Sequence, residues 1–159
     1  MRARSTSAGD YCVRTVVTVE RATPVARCAQ LMHDEHVGSL VVVEARDTRV
    51  VPVGVITDRD IAIEVVAFGI DASALTAGDV MQGNLALARE DEGLLAVLAT
   101  MRSNGVRRLP VVDAQGALVG ILSADDLWEV LAEEVDSLVR VIKAEQSRER
   151  RTRAAKPAT

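Results

Sequence analysis

The sequence predicts a mixed α/β fold made of two copies of one unit, in which a strand is followed by a helix, two strands and a second helix. A closing motif that occurs twice supports this: Gly54-Val-Ile-Thr-Asp-Arg-Asp-Ile61 is echoed by Gly120-Ile-Leu-Ser-Ala-Asp-Asp-Leu127. Each motif follows a branched aliphatic run and opens a helical pattern. The upstream segments also match, so that Met101 corresponds to Met32. Because such a unit leaves one sheet face bare, the two copies are expected to pack sheet to sheet.

The first repeat is expected at residues 11–69, after a flexible N-terminus at residues 1–10 that is small and polar. Its first strand is the β-branched run from Thr15 to Val19. A helix then begins at Thr23-Pro24, with the threonine as its cap and the proline at the first helical position. The apolar face of that helix is formed by Val25, Cys28, Ala29, Leu31 and Met32.

Two strands and a second helix complete this repeat. The run from Ser39 to Val43 is typical of a buried strand, and the strand from Val50 to Ile56 returns beside it. A charged hairpin loop from Glu44 to Arg49 joins the two. The helix that follows is predicted from Asp58 to Phe68 and ends at Gly69.

The second repeat is expected at residues 79–136, after a connector at residues 70–78, and follows the same order. Its predicted elements are a strand at 84–88, a helix at 91–103, strands at 107–112 and 119–122, and a helix from Asp125. The hairpin turn at Asp113-Ala-Gln-Gly116 is expected to be tighter than the loop at residues 44–49.

The C-terminal part, residues 137–159, is expected to extend the last helix and to end in a basic tail. After Leu127, a narrow apolar seam is formed by Leu131, Val135, Leu138, Val141 and Ile142. The seam predicts either a dimer or partner helix, or a helix folded back on its own core. The basic residues of the tail are Arg148, Arg150, Arg151, Arg153 and Lys156. Such a tail is either solvated and disordered, or it binds an acidic partner or nucleic acid.

The composition argues against several classes of protein. A chain of 159 residues with 48% hydrophobic residues suits one compact domain or two small, closely packed halves. A formal net charge of −4 and an aromatic content of 2% argue against nucleic-acid binding by overall charge or base stacking. No membrane span of roughly 20 apolar residues and no signal peptide is visible. Cys12 and Cys28 fit neither a disulfide framework nor a zinc pattern, so buried thiols in a reducing cytoplasm are expected.

The closing motif has a chemical interpretation and an ordinary one. A strand that turns into a helix leaves N–H groups free at the helix start, where an anion can bind. The hydroxyl of Thr57 or Ser123 can cap the helix and donate to a ligand, and Asp60 or Asp126 lies in the first helical turn. The same spacing is also an ordinary capping box, which one copy alone would favour. Two copies inside a longer duplication favour a binding motif.

The duplicated unit, the Leu-Pro-Val-Val-Asp run at residues 109–113 and the two closing motifs resemble a tandem pair of cystathionine-β-synthase (CBS) domains. The resemblance covers roughly residues 11–135. It implies a disc of two repeats, commonly a homodimer, that binds an adenosine-containing ligand (AMP, ADP, ATP or S-adenosylmethionine) in clefts between the repeats. It also implies a stand-alone regulatory module that signals by conformational change, needs no cofactor, and acts on an unidentified protein target. The alternative is a nucleic-acid- or protein-associated accessory factor that acts through the basic tail.

The resemblance assigns roles to both copies of the motif. Asp60 and Asp126 would accept hydrogen bonds from ribose hydroxyls, and Thr57 and Ser123 would contact phosphate or ribose. Adenine would lie among the aliphatic residues of the first strands and of the strands before each motif. The side chains expected to line these slots are Val16, Val17, Val55, Ile56, Leu85, Ile121 and Leu122.

The repeats differ in their phosphate donors. Arg107-Arg108 precedes the Leu-Pro-Val-Val strand, where the first repeat has Gly38-Ser39. The resemblance implies that both arginines serve the Asp60 site, which would then bind phosphate more strongly; the alternative is two solvated arginines. Arg59 could reach the weaker Asp126 site or be solvated.

No catalytic or metal site is expected. His33 and His36 lie at a helix end with no third ligand evident, which favours surface histidines over metal ligands. No Cys-His or Ser-His-Asp grouping is apparent, so an enzyme is not expected.

Overall fold

A computed structural model of the 159-residue chain describes residues 6–154. The chain divides into two compact units, Met1–Ala124 and Asp125–Thr159. The first unit contains all six strands of the described residues and both closing-motif strands, and the second unit is the C-terminal helix.

Each repeat begins with a short helix. The elements of the first repeat are α1 (Ala8–Tyr11), β1 (Thr18–Glu20), α2 (Val25–Asp34), β2 (Ser39–Arg46), β3 (Arg49–Thr57) and α3 (Asp58–Ile61), which continues as a π-helical turn over Ala62–Val66. The elements of the second are α4 (Ala77–Val80), β4 (Ala88–Arg89), α5 (Leu94–Asn104), β5 (Arg108–Val112), β6 (Leu118–Ser123) and α6 (Ala124–Ala154). The predicted order of strand, helix, two strands and helix is therefore confirmed in both repeats.

The two sheets have the same topology and register. In each, the first strand is parallel to the second, and the second is antiparallel to the third. Ser39 lies opposite Thr57 as Arg108 lies opposite Ser123. The register shifts at corresponding places, between Val42 and Val43 and between Val111 and Val112. Strands β3 and β6 contact each other across the two sheets, which agrees with the predicted packing of sheet on sheet.

The central strands form the core. Residues 39–43 of β2 and residues 109–112 of β5 are buried at every position, because both faces of a central strand are covered. Helix α2 adds Val25, Cys28 and Met32 to the core, at helical spacing. The thiols of Cys12 and Cys28 are free and buried, as predicted.

The start of each repeat packs on the sheet of the other repeat. Ser7–Cys12 and Thr76–Met81 share the pattern hydroxyl-Ala-Gly-Asp-x-sulfur, and α1 contacts β4 and β6 while α4 contacts β1 and β3. The backbone hydrogen bonds that hold these helices run from Ala8 to Glu92 (2.8 Å), Gly9 to Glu90 (2.9 Å), Ala77 to Thr23 (2.7 Å) and Gly78 to Arg21 (2.9 Å). The repeats therefore exchange their first helices, so that each helix packs on the sheet of the other repeat.

The glycine of each closing motif makes room for this exchange. A Cβ atom at Gly120 would lie 2.5 Å from Cys12 Sγ and 3.0 Å from the backbone oxygen of Val13. A Cβ atom at Gly54 would collide with Met81 Sδ. The motif therefore needs glycine because a sulfur-bearing residue of the opposite repeat lies against it.

The first strand of each repeat is shorter than predicted. Residues 15–17 and 84–87 are not in strands, because each chain segment must cross from one sheet to the other. Val13 pairs with Ile121 of the second sheet before Thr18 pairs with Val41 of the first. Gln82 likewise donates to Val55 O (3.4 Å) before the chain reaches β4. We call residues 14–17 and 83–87 the crossing segments.

One predicted helix cap and the predicted comparison of the two hairpin turns are wrong. Thr23 does not cap α2, because its hydroxyl accepts a hydrogen bond from Glu20 N (3.2 Å), and Pro24 occupies the N-cap position. The first hairpin is the tighter one: Arg46 pairs with Arg49, which leaves a two-residue loop. In the second hairpin, the Asp113 carboxylate accepts hydrogen bonds from the N–H groups of Gln115 and Ala117 (2.9 Å each), which holds a wider loop open.

Both chain ends are more regular than predicted. Ala8 is fully buried in α1, so the expected flexibility does not hold from that residue onward. At the other end α6 continues to Ala154 through most of the basic tail, whereas Lys156 lies outside the described residues. Helix α5 begins at Leu94, three residues after the predicted start, since Gly93 occupies its N-cap position.

Candidate functional site

A cleft of about 400 Å³ lies in the first unit and is lined by both repeats. This volume is in the range of small-molecule sites, roughly 300–1,000 Å³. The first repeat contributes the end of β3 and the start of α3, and the second contributes a crossing segment and the loop between α5 and β5. The lining residues are Val55, Thr57, Asp58, Arg59, Asp60, Gln82, Asn84, Leu85, Ala86, Asn104, Gly105, Val106, Arg107 and Arg108.

Thr57 and Asp60 form a closed capping box on one wall of the cleft. The Thr57 hydroxyl accepts from Asp60 N (3.1 Å) and donates to Asp60 Oδ2 (2.6 Å), and Thr57 N donates to the same oxygen (2.9 Å). Because the hydroxyl has one proton, its donor is already used, and it can offer a ligand only a lone pair. Both residues are half-buried.

The other carboxylate oxygen of Asp60 faces the second repeat. Gln82, the residue just before the crossing segment at 83–87, donates from Nε2 to Asp60 Oδ1 (3.2 Å). A carboxylate accepts about four hydrogen bonds. Three of these are therefore made within the chain, two on Oδ2 and one on Oδ1.

Basic side chains line the same cleft as Asp60. Arg107 and Arg108 lie at the start of β5, Arg59 lies in α3, and all three side chains are exposed. Within the described residues, Arg59 and Arg108 make no side-chain hydrogen bond or ion pair. The cleft thus combines a hydroxyl–carboxylate pair with guanidinium groups that can bind an anion in two parallel hydrogen bonds.

The left-handed residue Gly105 allows the chain to turn from α5 into the cleft wall. Its φ is 64°, and Val106 N donates to Met101 O (3.0 Å), which ends the helix. His36 occupies the corresponding position after α2 with a φ of 54°. His33 and His36 are both exposed, and no group of three or more His, Cys, Asp and Glu residues that could hold a metal occurs between residues 6 and 154.

Half of the predicted site residues lie together in this cleft. Those that line it are Val55, Thr57, Arg59, Asp60, Leu85, Arg107 and Arg108. Those that do not are Val16, Val17, Ile56, Ile121, Leu122, Ser123 and Asp126. The side chains of Ile56 and Leu122 are fully buried, because alternation along β3 and β6 turns them into the core. These two side chains therefore do not reach this cleft, whereas Arg59, which was expected to reach the Asp126 site or to be solvated, lies in the Asp60 cleft.

The second copy of the motif has the same local placement. Ser123 ends β6 and Asp126 lies in the first turn of α6, as Thr57 ends β3 and Asp60 lies in the first turn of α3. Ala124 N donates to Arg107 O (2.8 Å), as Asp58 N donates to Gly38 O (3.1 Å). The alignment of Arg107-Arg108 with Gly38-Ser39 is therefore correct in three dimensions.

A capping box of this kind does not by itself define the cleft. Thr76 N and Thr76 Oγ1 donate to Asp79 Oδ2 (2.9 and 2.7 Å), which nearly repeats the geometry of Thr57 and Asp60. These hydrogen bonds from Thr76 lower the pKa of the Asp79 carboxyl. Thr76 and Asp79 do not line the cleft. What distinguishes Asp60 is its surroundings, above all Gln82 and the arginines.

Sequence reasoning missed the residues that the crossing segment and the α5–β5 loop supply. Gln82 just before the crossing segment, Asn104 at the end of α5 and Val106 in the loop carry no motif of their own, and Asp58 was a variable position of the closing motif. The duplicated Ala-Gly-Asp pattern at residues 8–10 and 77–79 is a signal that could have revealed the exchange of repeat starts. It would have placed the residue after Met81 beside the opposite sheet, and so next to Asp60.

Comparison with known proteins assigns the chain to a family. The family model described as the CBS domain matches residues 8–67 and 77–132. An uncharacterized protein of Methanopyrus kandleri is 34% identical over 80% of this chain, which spans 63% of the length of that relative. Hypoxic response protein 1 of Mycobacterium tuberculosis is 30% identical, over 87% of this chain and 93% of that protein. The match to the inosine-5′-monophosphate dehydrogenase of Methanocaldococcus jannaschii covers 22% of that enzyme.

Solved structures show the same fold. The structure of Hypoxic Response Protein I with two coordinated zinc ions has a TM-score of 0.67 and 30% identity, over 78% of this chain and 98% of that chain. The CBS domain pair of protein MJ0100, solved with 5′-methylthioadenosine and S-adenosyl-L-methionine, has a TM-score of 0.68 and 25% identity, over 79% and 99%. No helix among the described residues is long and apolar enough to cross a membrane. The chain belongs to the CBS domain family and carries two CBS domains in tandem.

Proposed function

We propose that the cleft at Asp60 binds an adenosine-containing small molecule (AMP, ADP, ATP or S-adenosylmethionine) and that the protein is a regulatory module without catalytic activity. One observation carries this proposal: the two repeats bring the Thr57–Asp60 pair and the Arg107-Arg108 pair to the same cleft. A ribose phosphate offers hydroxyl donors at one end and an anion at the other, which matches these two chemistries.

The ribose hydroxyls are the proposed ligands of Asp60. One acceptor position on Oδ1 is open, and a second becomes open when Gln82 releases this oxygen. Two adjacent hydroxyl donors would then bind the carboxylate, as nucleotide folds commonly arrange. The bonds from Thr57 to Oδ2 hold the carboxylate in position.

The phosphate and the adenine have separate places. Arg107, Arg108 and Arg59 would bind phosphate or another anionic group, with Arg108 available as a donor. Val55, Leu85 and Ala86 are the apolar residues of the cleft beside which adenine would lie, and all three are half-buried. S-adenosylmethionine is less suited to this site than AMP, because its sulfonium charge would face guanidinium groups.

The proposed signal is a change in how the repeats are held together. A ligand in this cleft would contact β3 and α3 of one repeat together with a crossing segment and β5 of the other. It would stabilise whichever arrangement of the repeats it binds more tightly, which is the requirement for a conformational output. A homodimer is part of the proposal, since several aliphatic side chains of α6 are exposed in the single chain.

The test is calorimetry with AMP on the native protein and on the variant Asp60→Ala. Loss of hydrogen bonds to a charged acceptor is expected to lower affinity about 10- to 150-fold, or about 1.5–3 kcal/mol. Asp79→Ala is the matched control, because it removes the same capping box outside the cleft. The proposal is wrong if Asp60→Ala remains folded and binds AMP as tightly as Asp79→Ala does.

A further inference from the structure

The exposed side of α6 carries an apolar arc. The helix has 31 residues, about 46 Å at 1.5 Å per residue. At about 100° per residue, five aliphatic side chains fall within roughly 100° of its circumference. These residues and their exposed fractions are Leu131 (36%), Val135 (60%), Leu138 (65%), Val139 (38%) and Ile142 (54%). An apolar arc of this length on an exposed helix is a contact surface for another helix.

The charges along α6 are divided between its two halves. Residues 124–136 contain six acidic residues and no basic one, whereas residues 137–154 contain six basic residues and two acidic ones. The acidic residues of the first half are Asp125, Asp126, Glu129, Glu133, Glu134 and Asp136. The basic residues of the second half are Arg140, Lys143, Arg148, Arg150, Arg151 and Arg153. The helix is therefore a rod with one negative and one positive half.

Stabilisation of the helix by its own dipole does not account for this division. Interactions with the dipole fall off within the first and last turns, but the division extends to the middle of the helix. An ion pair within the helix joins Arg140 to Asp136 (2.6 Å), where the two halves meet. The second half contains only two acidic residues for its six basic ones, so it stays basic whatever pairs form within it.

We infer that α6 binds α6 of a second copy of this chain in antiparallel orientation. In that orientation the acidic half of each helix lies beside the basic half of the other, whereas parallel helices would place like charges side by side. Two-fold symmetry makes both ends of such a contact equivalent. The apolar arc also fits: Leu131 would lie opposite Ile142 of the second copy, and Val135 opposite Leu138, so that these layers are aliphatic.

Spin-label distances test the orientation. Ser137 and Ser147 are exposed and can each be changed to Cys in a Cys12→Ala/Cys28→Ala background of the full chain. Labels at Ser137, next to the two-fold axis but on the outer side of each helix, should be about 20–30 Å apart, since packed helices lie about 8–10 Å apart. Labels at Ser147 should be separated by about 31 Å along the helix axis, from about 1.5 Å per residue. Equal short distances at both positions would show parallel helices, and long distances at both would show a contact elsewhere; either result overturns the inference.

Light scattering on the chain with its own cysteines provides an independent test. The native protein should be a dimer that weakens from about 0.1 M to about 1 M salt, as the screening length falls from about 10 to about 3 Å. Lys143→Glu/Arg148→Glu and Glu129→Lys/Glu133→Lys should each be monomeric and should form a mixed dimer when combined. The charge-conserving variant Lys143→Arg/Arg148→Lys is the control and should remain a dimer. A native monomer at micromolar concentration, a dimer that salt strengthens, or variants that dimerise alone would overturn the inference. No nucleotide enters these tests, so they fail independently of the adenosine proposal.

Discussion

At the scale of single residues, the surroundings of Asp60 decide what an ordinary capping box can do. Thr57–Asp60 and Thr76–Asp79 have nearly the same geometry, and only the first lies in a cleft with a second donor and guanidinium groups. Gln82 is the residue that distinguishes the two carboxylates most directly, because it donates to the oxygen that Thr57 leaves open.

We expect Gln82→Ala to strengthen the binding of AMP. The native carboxylate must release Gln82 before it can accept two ribose hydroxyls, and this lost hydrogen bond costs about 0.5–1.5 kcal/mol, or roughly 2- to 13-fold in affinity. The gain should be smaller for 2′-deoxy-AMP, which offers one hydroxyl fewer and can use the acceptor position that is already open. Calorimetry with both nucleotides measures the difference. Weaker AMP binding by Gln82→Ala would show instead that the amide contacts the ligand.

The two buried thiols give a pH dependence of stability. Burial raises the pKa of Cys12 and of Cys28 above the ordinary thiol value. A raised folded pKa means that stability is fully present below the unfolded pKa, about 8.5, and is lost as the pH rises through the folded value. Thermal unfolding between about pH 8 and pH 10.5 should therefore show a smaller decline in Cys28→Ala than in the native protein. Identical slopes would contradict a thiol contribution.

At the scale of elements, the exchange of repeat starts explains both the glycines and the short first strands. Cys12 lies against Gly120 and Met81 against Gly54, so each closing motif is in contact with the start of the opposite repeat. The crossing segments leave the sheets for the same reason, and residues 84–86 of one crossing segment then become part of the cleft wall.

We expect Gly120→Ala to destabilise the protein more than Gly54→Ala. The new methyl group at residue 120 meets a short cysteine side chain and the backbone oxygen of Val13, neither of which can move far. At residue 54 the three nearest atoms, Sδ, Cγ (3.1 Å) and Cβ (3.3 Å), all belong to the side chain of Met81, and the flexible methionine can change rotamer. Overpacking of this kind costs about 1–3 kcal/mol, and denaturant unfolding of the two variants measures the difference. Cys12→Gly combined with Gly120→Ala should recover part of the loss, whereas equal losses at residues 54 and 120 would contradict this account.

The sequence predicts the parts of this fold that repeat or alternate and misses those that depend on distant backbone pairing. Hydrophobic periodicity and the duplicated motif were sufficient to predict both sheets and both long helices. The expectation that Arg107 and Arg108 share a cleft with Asp60 came from the family resemblance, and all three residues line one cleft. The hairpin at residues 113–117 was misjudged because the Asp113 carboxylate captures two N–H groups, which turn composition does not reveal. Gln82 could not be found from its own residue type, since its position results from hydrogen bonds between the repeats.

At the scale of the whole molecule, the two repeats share their strand topology and register but carry different side chains at corresponding positions. Arg108 and Ser39 occupy the same register position opposite Ser123 and Thr57, yet Arg108 is exposed and Ser39 is buried. A Cβ atom at Gly38 would lie 3.2 Å from the Asp58 carboxylate, so a larger residue there would have to displace that side chain. Arg107 and Arg108 therefore line the Asp60 cleft at positions where the first repeat has Gly38 and Ser39.

We expect one tight adenine-nucleotide site per chain, which calorimetry with AMP measures as a stoichiometry of about one. Arg108→Ala should lower the affinity for AMP about tenfold, the lower end of the range for a charged hydrogen bond at an exposed side chain. It should change the affinity for adenosine little, because only AMP carries the phosphate that a guanidinium binds through two parallel hydrogen bonds. Arg102→Ala, which removes an exposed arginine of α5 that does not line the cleft, is the matched control. Equal losses for AMP and adenosine would mean that Arg108 maintains the shape of the cleft, and two equal sites in the native protein would contradict the asymmetry itself.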